Sequence, residues 1–305
     1  MYMKEKVGQY LEYCEFRRAL DQKTLKAYRI DLRQFFEAVS SKEPSKEEIE
    51  NYITELHKTY KQKTVKRKIA SVKAFYNFLE EEEYIEESPF RRIKVKFKET
   101  IVLPRIIPRN EIEQLLNYMY FHGAKSNHLE KKYWLRDMAV VEVFFGTGAR
   151  VYEISNIGAD CVDLITGSIR IMGKGGKERY VQIGDSSLVK LLQEYYEENK
   201  DAIKKSGYFF VNKRGARYTE QSIRLMMKKY SKLAGIDRNI TPHMFRHSFA
   251  TYLIEEGVDI SCVKEILGHS SIKTTQIYVH VAIEKQAEIL RNKHPRNRMQ
   301  IIRAA

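Results

Sequence analysis

Cysteine is scarce in this 305-residue chain: Cys14, Cys161 and Cys262 are widely spaced and form no CxxC pair. Neither a disulfide framework nor a cysteine-based zinc site is supported, and the three read as reduced, structural thiols. Long apolar runs are missing as well. None approaches the ~18 residues of a membrane span, and the opening MYMKEKVGQY lacks the apolar core of a secretory signal, so the expected location is the cytoplasm. There is no GxxxxGK(S/T) phosphate loop, and Gly146-Thr147-Gly148 is not carried on to GxGxxG because position 151 is Val, which disfavours nucleotide-driven chemistry. Acidic charge is in deficit: 40 Asp and Glu stand against 54 Lys and Arg, a net charge of +14. An excess of this size points to a polyanionic partner, either nucleic acid or an anionic membrane surface.

The length accommodates two domains at the usual ~150 residues each. A content of 43% hydrophobic and 31% charged residues is that of a globular protein rather than a disordered or fibrous one. The first 90 residues read as helices. Between Asp21 and Val39, Leu25, Tyr28, Leu32, Phe35 and Phe36 recur at spacings of three and four, the pattern of an amphipathic helix. From Lys61 to Leu79, Val65, Ile69, Val72, Phe75, Tyr76 and Phe78 supply a second apolar stripe, while Lys61, Lys63, Lys66, Arg67, Lys68 and Lys73 supply six positive charges before any acid appears. Solvated helix faces normally mix signs, so this run is expected to face phosphates, and Glu80 to Glu83 to mark the helix end.

Ser88 to Arg109 carries Pro89, Pro104 and Pro108 with seven basic residues and one Glu, and reads as an extended basic connector. The expected organisation is therefore a helical domain over 1–90, a basic linker over 91–108 and a second domain over 109–305. Residues 1–100 hold 22 basic and 18 acidic residues and the rest 32 and 22, so both parts are basic. Beyond the linker, helical patterns at 109–122 and 133–146 precede a β-hairpin at 168–183, where Ile169, Ile171, Val181 and Ile183 alternate with more polar neighbours around a Gly-Lys-Gly-Gly-Lys tip.

Four local motifs carry side chains suited to phosphate chemistry. At residues 146–153 the glycines break a helix, and Arg150 opens the next with Glu153 three residues on, a spacing that equally describes an ordinary surface ion pair. Lys174 and Lys177 sit on the hairpin tip, and spacing does not separate them. In Thr241-Pro242-His243-Met244-Phe245-Arg246-His247, Thr241 reads as the N-cap and Pro242 as the first residue of a helix. Phe245, Phe249 and Leu253 form its buried stripe, so His243 and Arg246 are expected off that stripe, near a helix end that suits a phosphate. His243 and His247 have metal-ligand spacing, but the Glu of HExxH is Met244, no third ligand is evident and Arg246 would repel a dication. No metal and no other cofactor is expected, and His247 reads as a packed histidine. In residues 267–278, LGHSSIKTTQIY, Gly268 reads as the end of one helix and Ser270 or Ser271 as the cap of the next, placing His269 in a tight turn and Tyr278 at the end of a short helix.

Taken together, Arg150, Lys174, His243, Arg246, His269 and Tyr278 resemble, in order, the catalytic pattern of the tyrosine recombinase (phage integrase) family. GTGARVYEI is similar to its TGLRxSEL box, GKGGKER to its GKGxKER hairpin, HMFRHSFAT to its HxLRHxFAT helix, and LGHSSIKTTQIYVHV to its LGHxSIxTTxxYxHV segment. KTLKAYRIDLRQF near the start resembles the opening of the family's core-binding domain, and Lys293-His294-Pro295-Arg296 the HPR of Xer-like members. Ala149 stands in place of the usual Leu and Tyr152 in place of a small polar residue. The core-binding pattern begins almost at residue 1, so a simple Xer-like architecture without an added arm-binding domain is expected.

The resemblance implies a fold that is mainly α with a small β-sheet: a helical, SAM-like core-binding domain and a mixed α/β catalytic domain, together a C-shaped clamp on DNA. It implies that Tyr278 attacks the scissile phosphate to give a 3′-phosphotyrosyl link, a role for which a phenol, both nucleophile and fair leaving group, is suited. Arg150 and Arg246 meet the phosphate oxygens as planar forks, His269 adds a hydrogen bond, His243 serves as acid and base, Lys174 protonates the leaving 5′-oxygen with Lys177 in reserve, and Glu153 orients its neighbours. The implied partners are double-stranded DNA with inverted-repeat core sites and other protomers, its own copies or a paralogous recombinase, in a tetramer linked through the C-terminal helix, where Ile283, Ala287 and Leu290 form an apolar stripe. No membrane partner is implied; the implied setting is a bacterial or phage-type cytoplasm, associated with the nucleoid. A type IB topoisomerase-like nicking-closing enzyme would share the chemistry without needing the tail, and a DNA-binding regulator would need neither Tyr278 nor Lys174.

Overall fold

The computed structural model describes residues 3–39, 41, 43–95, 97, 104–123, 128–173, 176–268 and 291. The chain divides into two compact units, Met1–Thr100 and Ile101–Ala305, each with its own core. No helix among the described residues is long and apolar enough to cross a membrane.

The first unit is helical. A short 3-10 turn, Met3–Lys6, leads into α1 (Val7–Glu12), which widens into a π-helical turn at Tyr13–Arg17; α2 (Gln22–Ala38), α3 (Lys46–Thr59) and α4 (Gln62–Glu81) follow. The helix starts are written locally. Asp21 accepts a hydrogen bond from the Thr24 amide at 2.9 Å, and Ser45 with Glu48 forms a reciprocal capping box that satisfies two otherwise orphaned N–H groups. The stripes predicted for α2 and α4 meet in the core, where Leu32, Phe35, Val65, Phe75, Tyr76 and Leu79 are buried together with Ile49 of α3. Phe90, in the turn Pro89–Arg91, and Ile93 are buried in the same core, so the chain stays packed on this unit past residue 90.

Against expectation, Lys68 does not belong to the phosphate-facing row: its side chain is 4% exposed and its ammonium lies 3.3 Å from the buried carboxylate of Asp31, with Gln34 as a second partner. Asp31 is buried on α2 with Leu32 and Phe35, and an ionised carboxylate there requires cationic and hydrogen-bonding partners. Arg67 and the Ser71 hydroxyl complete the set, so Arg67, though partly exposed, is also engaged internally. Lys61, Lys63, Lys66 and Lys73 are exposed on α4.

The second unit is built on α6 (His128–Thr147), after α5 (Arg109–Gly123). From Leu135 to Phe144 nearly every described side chain of α6 is buried, as befits a helix covered on all sides. α7 (Val151–Ser155) follows, then an antiparallel sheet β1 (Val162–Asp163), β2 (Ser168–Met172), β3 (Glu178–Gln182) in that order, with Ile169 opposite Val181 and Ile171 opposite Arg179. The expected hairpin is present as β2 and β3, with β1 as an added edge. α8 (Ser186–Ser206), α9 (Glu220–Leu233), α10 (Pro242–Glu255) and α11 (Ile260–Leu267) complete the unit, with α6 packing on α8, α10, α5 and α9. The far end of the linker is fastened: Ile107 is buried, its amide donates to the Ser248 hydroxyl at 2.8 Å, and its carbonyl accepts from Tyr252, both on α10.

Candidate active site

The site is organised by the break between α6 and α7. The Thr147 hydroxyl donates to the Val143 carbonyl and accepts from the Ala149 amide, closing α6 and turning the chain. Gly148 adopts φ +59°, and a Cβ there would lie 2.5 Å from Phe249 and 2.8 Å from Leu267, so both the backbone and the space require glycine. Ala149 is fully buried and Tyr152 about half exposed.

Arg150 is the N-cap of α7, and Glu153 reaches back to it twice: Oε2 accepts from the Arg150 amide at 2.8 Å and Oε1 from Arg150 Nη1 at 2.7 Å. The bland alternative of a surface ion pair is thereby displaced, because the Glu153 side chain is 2% exposed while Arg150 is 38% exposed. Burial alone would push the Glu153 carboxyl up; the guanidinium of Arg179, then the amide and guanidinium of Arg150, hold it below the usual carboxylate value instead.

α10 begins at Pro242 with Thr241 as N-cap, although the Thr241 side chain makes no capping bond. His243 is exposed in the first turn. Arg246 departs from expectation: it is buried, not merely off the stripe. The reason is a pair of backbone carbonyls, Gly148 at 2.7 Å from Nη1 and Leu267 at 2.8 Å from Nη2, which take the guanidinium inward. His247 is half-buried, and burial, then the charges of His243 and Arg246, lower its pKa. α11 ends at Gly268, which is left-handed at φ +63° as its place in the sequence suggested. The Arg150 box, the His243 helix and the end of α11 therefore converge on one place. Lys177 is exposed, its carbonyl accepting from the Gly173 amide at 2.7 Å to close the hairpin. Lys174, His269 and Tyr278 lie outside the described residues, as does the segment 282–290.

Sequence reading missed Arg179. It lies on β3 opposite Ile171, donates both Nη groups to Glu153 at 3.1 and 2.7 Å, and donates Nε to the Ile266 carbonyl at 2.9 Å. The signal was present in the strand alternation, which sets Arg179 on the inward face with Val181 and Ile183.

Residues 105–285 match the Phage integrase family, and residues 7–83 match its N-terminal SAM-like domain. A tyrosine recombinase of Agathobacter rectalis is 48% identical over 295 residues, covering 95% of this chain and 96% of that protein. The chain belongs to the phage integrase family. Among these tyrosine recombinases, which are strand-exchange enzymes, XerC of Leptospira interrogans is 32% identical over 303 residues, covering 97% of this chain and 95% of its own. XerD of Listeria monocytogenes is 32% identical over 306 residues, covering 96% and 100%. In fold, the chain is similar to XerH bound to a palindromic difH substrate in a post-cleavage complex, with a TM-score of 0.75 at 22% identity over 95% of this chain and 84% of that one. The mainly helical architecture with one small sheet is thus the family's own.

Proposed function

We propose that this tyrosine recombinase cleaves and rejoins double-stranded DNA at inverted-repeat core sites through a 3′-phosphotyrosyl intermediate. The first unit is the core-binding domain, the strap over 91–108 the basic linker, and the second unit the catalytic domain. Tyr278 Oη attacks the scissile phosphorus and the bond to O5′ breaks. The phenolic proton passes to His243, and O5′ takes a proton from Lys174 or, as the reserve, Lys177. One phosphoester replaces another, so the step reverses for rejoining without nucleotide hydrolysis. Arg150 and Arg246 face the non-bridging oxygens as planar donors and His269 adds a further hydrogen bond, stabilising charge as it develops. Glu153 keeps Arg150 in place.

The observation that carries this reading is the convergence of Arg150 and Arg246 about Gly148: the Gly148 carbonyl anchors Arg246 at 2.7 Å, and two residues on Arg150 begins α7 against the buried Glu153. Two arginines anchored at one turn supply the planar donors that a phosphate site needs, which a regulator that only binds DNA does not need. Lys61, Lys63, Lys66 and Lys73 of α4 supply phosphate contacts. Residues 282–305 dock on a neighbouring protomer, a second copy or a paralogue, and link four subunits in the synapse.

A duplex nicked close to the cleavage site, so that the liberated end is lost, tests the chemistry. The expected result is a detergent-resistant protein–DNA adduct that Tyr278→Phe abolishes; no adduct on the cognate site would overturn the reading in favour of a binding regulator. Joining to a partner duplex then distinguishes recombination from nicking and closing, and removal of residues 282–305 should abolish joining while sparing binding of a single protomer to DNA.

A further inference from the structure

We infer that Arg179 is a positioning residue of this site: it fixes Arg150 through Glu153 and, with the same guanidinium, holds the end of α11 from which the chain runs on to His269. The inference rests on the strand-exchange reading above and adds to it a residue outside the six given catalytic roles.

Arg179 is 12% exposed on its side chain, and a guanidinium so far removed from water persists only where its charge and its N–H groups are met. They are met in two directions. Both Nη groups form a fork on the two oxygens of Glu153, at 3.1 and 2.7 Å, and Nε donates at 2.9 Å to the carbonyl of Ile266 in the last turn of α11. Each oxygen of Glu153 therefore serves Arg150 on one side and Arg179 on the other. Arg150, whose guanidinium is partly exposed, takes its direction from a carboxylate that Arg179 keeps from rotating.

The neighbouring backbone is shaped for this side chain. A Cβ on Gly268 would lie 3.1 Å from Cδ and 3.2 Å from Nη1 of Arg179, so glycine lets the arginine lie against the end of α11. The residue also belongs to the hairpin that the Gly173 amide closes on the Lys177 carbonyl, two positions after Lys177. One guanidinium thus fastens the hairpin to the Arg150 motif and to the end of α11. Lysine, a point charge on a flexible stem, lacks the planar fork and so does not supply the bidentate pair together with the third bond.

Single-turnover adduct formation by the full-length protein tests this, on a nicked duplex carrying either an ordinary scissile phosphate or a methylphosphonate there. The methylphosphonate is neutral and makes little demand on Arg150. Arg179→Lys should slow adduct formation on the phosphate about 10- to 100-fold, the range of a reacting group misplaced by about 1 Å, with DNA affinity within about 2-fold of the parent. On the methylphosphonate the deficit should shrink to a few-fold, as it should for Arg150→Ala. The double variant Glu153→Gln/Arg179→Gln, which leaves no unpaired charge buried between these two positions, should show the same pattern. Parental rates with Arg179→Lys on the phosphate, or equal losses on both duplexes in both variants, would overturn the inference. Failure of the parent protein to form a Tyr278-dependent adduct would overturn the strand-exchange reading, and this inference with it.

Discussion

Arg246 Nη1 donates to the Gly148 carbonyl at 2.7 Å. The bond spans almost a hundred positions and joins the helix of His243 to the turn that launches Arg150. It exists because Gly148 is left-handed, which aims its carbonyl away from the α6 ladder and at the guanidinium. Arg246 then reaches the Leu267 carbonyl with its second amino group. The two carbonyls, one on each side, fix the direction in which the Arg246 guanidinium points.

Gly148→Ala tests that turn. The left-handed backbone costs an alanine about 1–2 kcal/mol, and the overlap with Phe249 and Leu267 adds about 1–3 kcal/mol. Urea unfolding should show a loss near the sum, and single-turnover cleavage, measured where the variant remains folded, should fall at least about 10-fold. Gly207→Ala is the control: φ is likewise positive there, at +74°, but nothing lies within 4 Å of the added Cβ, so only the backbone cost should appear and cleavage should be unchanged.

Glu153 supplies a second prediction, in stability against pH. Its folded pKa is depressed by Arg179 and Arg150, so the charged form contributes stability that is fully present above the unfolded value of about 4.3 and is lost as pH falls through the folded value. The stability gap between the parent and Glu153→Gln, from urea midpoints, should be constant near neutrality and narrow below about pH 4. Glu153→Ala should cost more, about 3–5 kcal/mol, because it leaves Arg179 buried without its carboxylate. A gap that does not change with pH would show that the carboxylate charge is not what holds the arginines.

Lysines on one helix should separate into two kinds. Alanine at Lys61, Lys63, Lys66 or Lys73, exposed on α4, should weaken duplex binding and reduce the slope of log affinity against log salt by up to about 0.9 for each phosphate no longer neutralised. Lys68→Ala should leave that slope unchanged and instead lower stability by about 3–5 kcal/mol, since it removes a cation from the buried Asp31. A reduced salt slope with Lys68→Ala would place its ammonium on DNA.

That division marks how far the sequence could be read. The spacing of Leu25, Leu32 and Phe35, or of Val65, Val72 and Phe75, is local and shows which face of α2 or α4 is buried. Caps such as Asp21, Ser45 and Gly268 are equally local. Asp31 occupies a stripe position beside Leu32, which announces a buried charge, but the identity of its partners depends on how α2 and α4 pack, and Arg67, Lys68 and Ser71 are 36 to 40 positions away. The same distance hid the burial of Arg246, whose carbonyl partners are 98 and 21 positions away. Arg179 stood within reach of sequence reading, since an arginine that alternates with Val181 and Ile183 on an inward strand face needs a buried acid, and the motif of Arg150 already offered Glu153.

His247 gives a last prediction of opposite chemical type. Burial, and then the nearby charges of His243 and Arg246, depress its folded pKa, so the folded protein refuses a proton that the unfolded chain takes up at about pH 6.5. Stability should therefore decline as pH falls through about 6.5, and the penalty should be complete below the folded value. His247→Gln removes the ionisable ring, so its stability, from urea unfolding at each pH, should vary less than the parent's between about pH 7.5 and 5.5. The curves should be offset near pH 7.5 by the lost packing and converge on acidification. Parallel curves across that range would show that His247 titrates alike in the folded and unfolded chains, and that its burial and its charged neighbours do not keep it neutral.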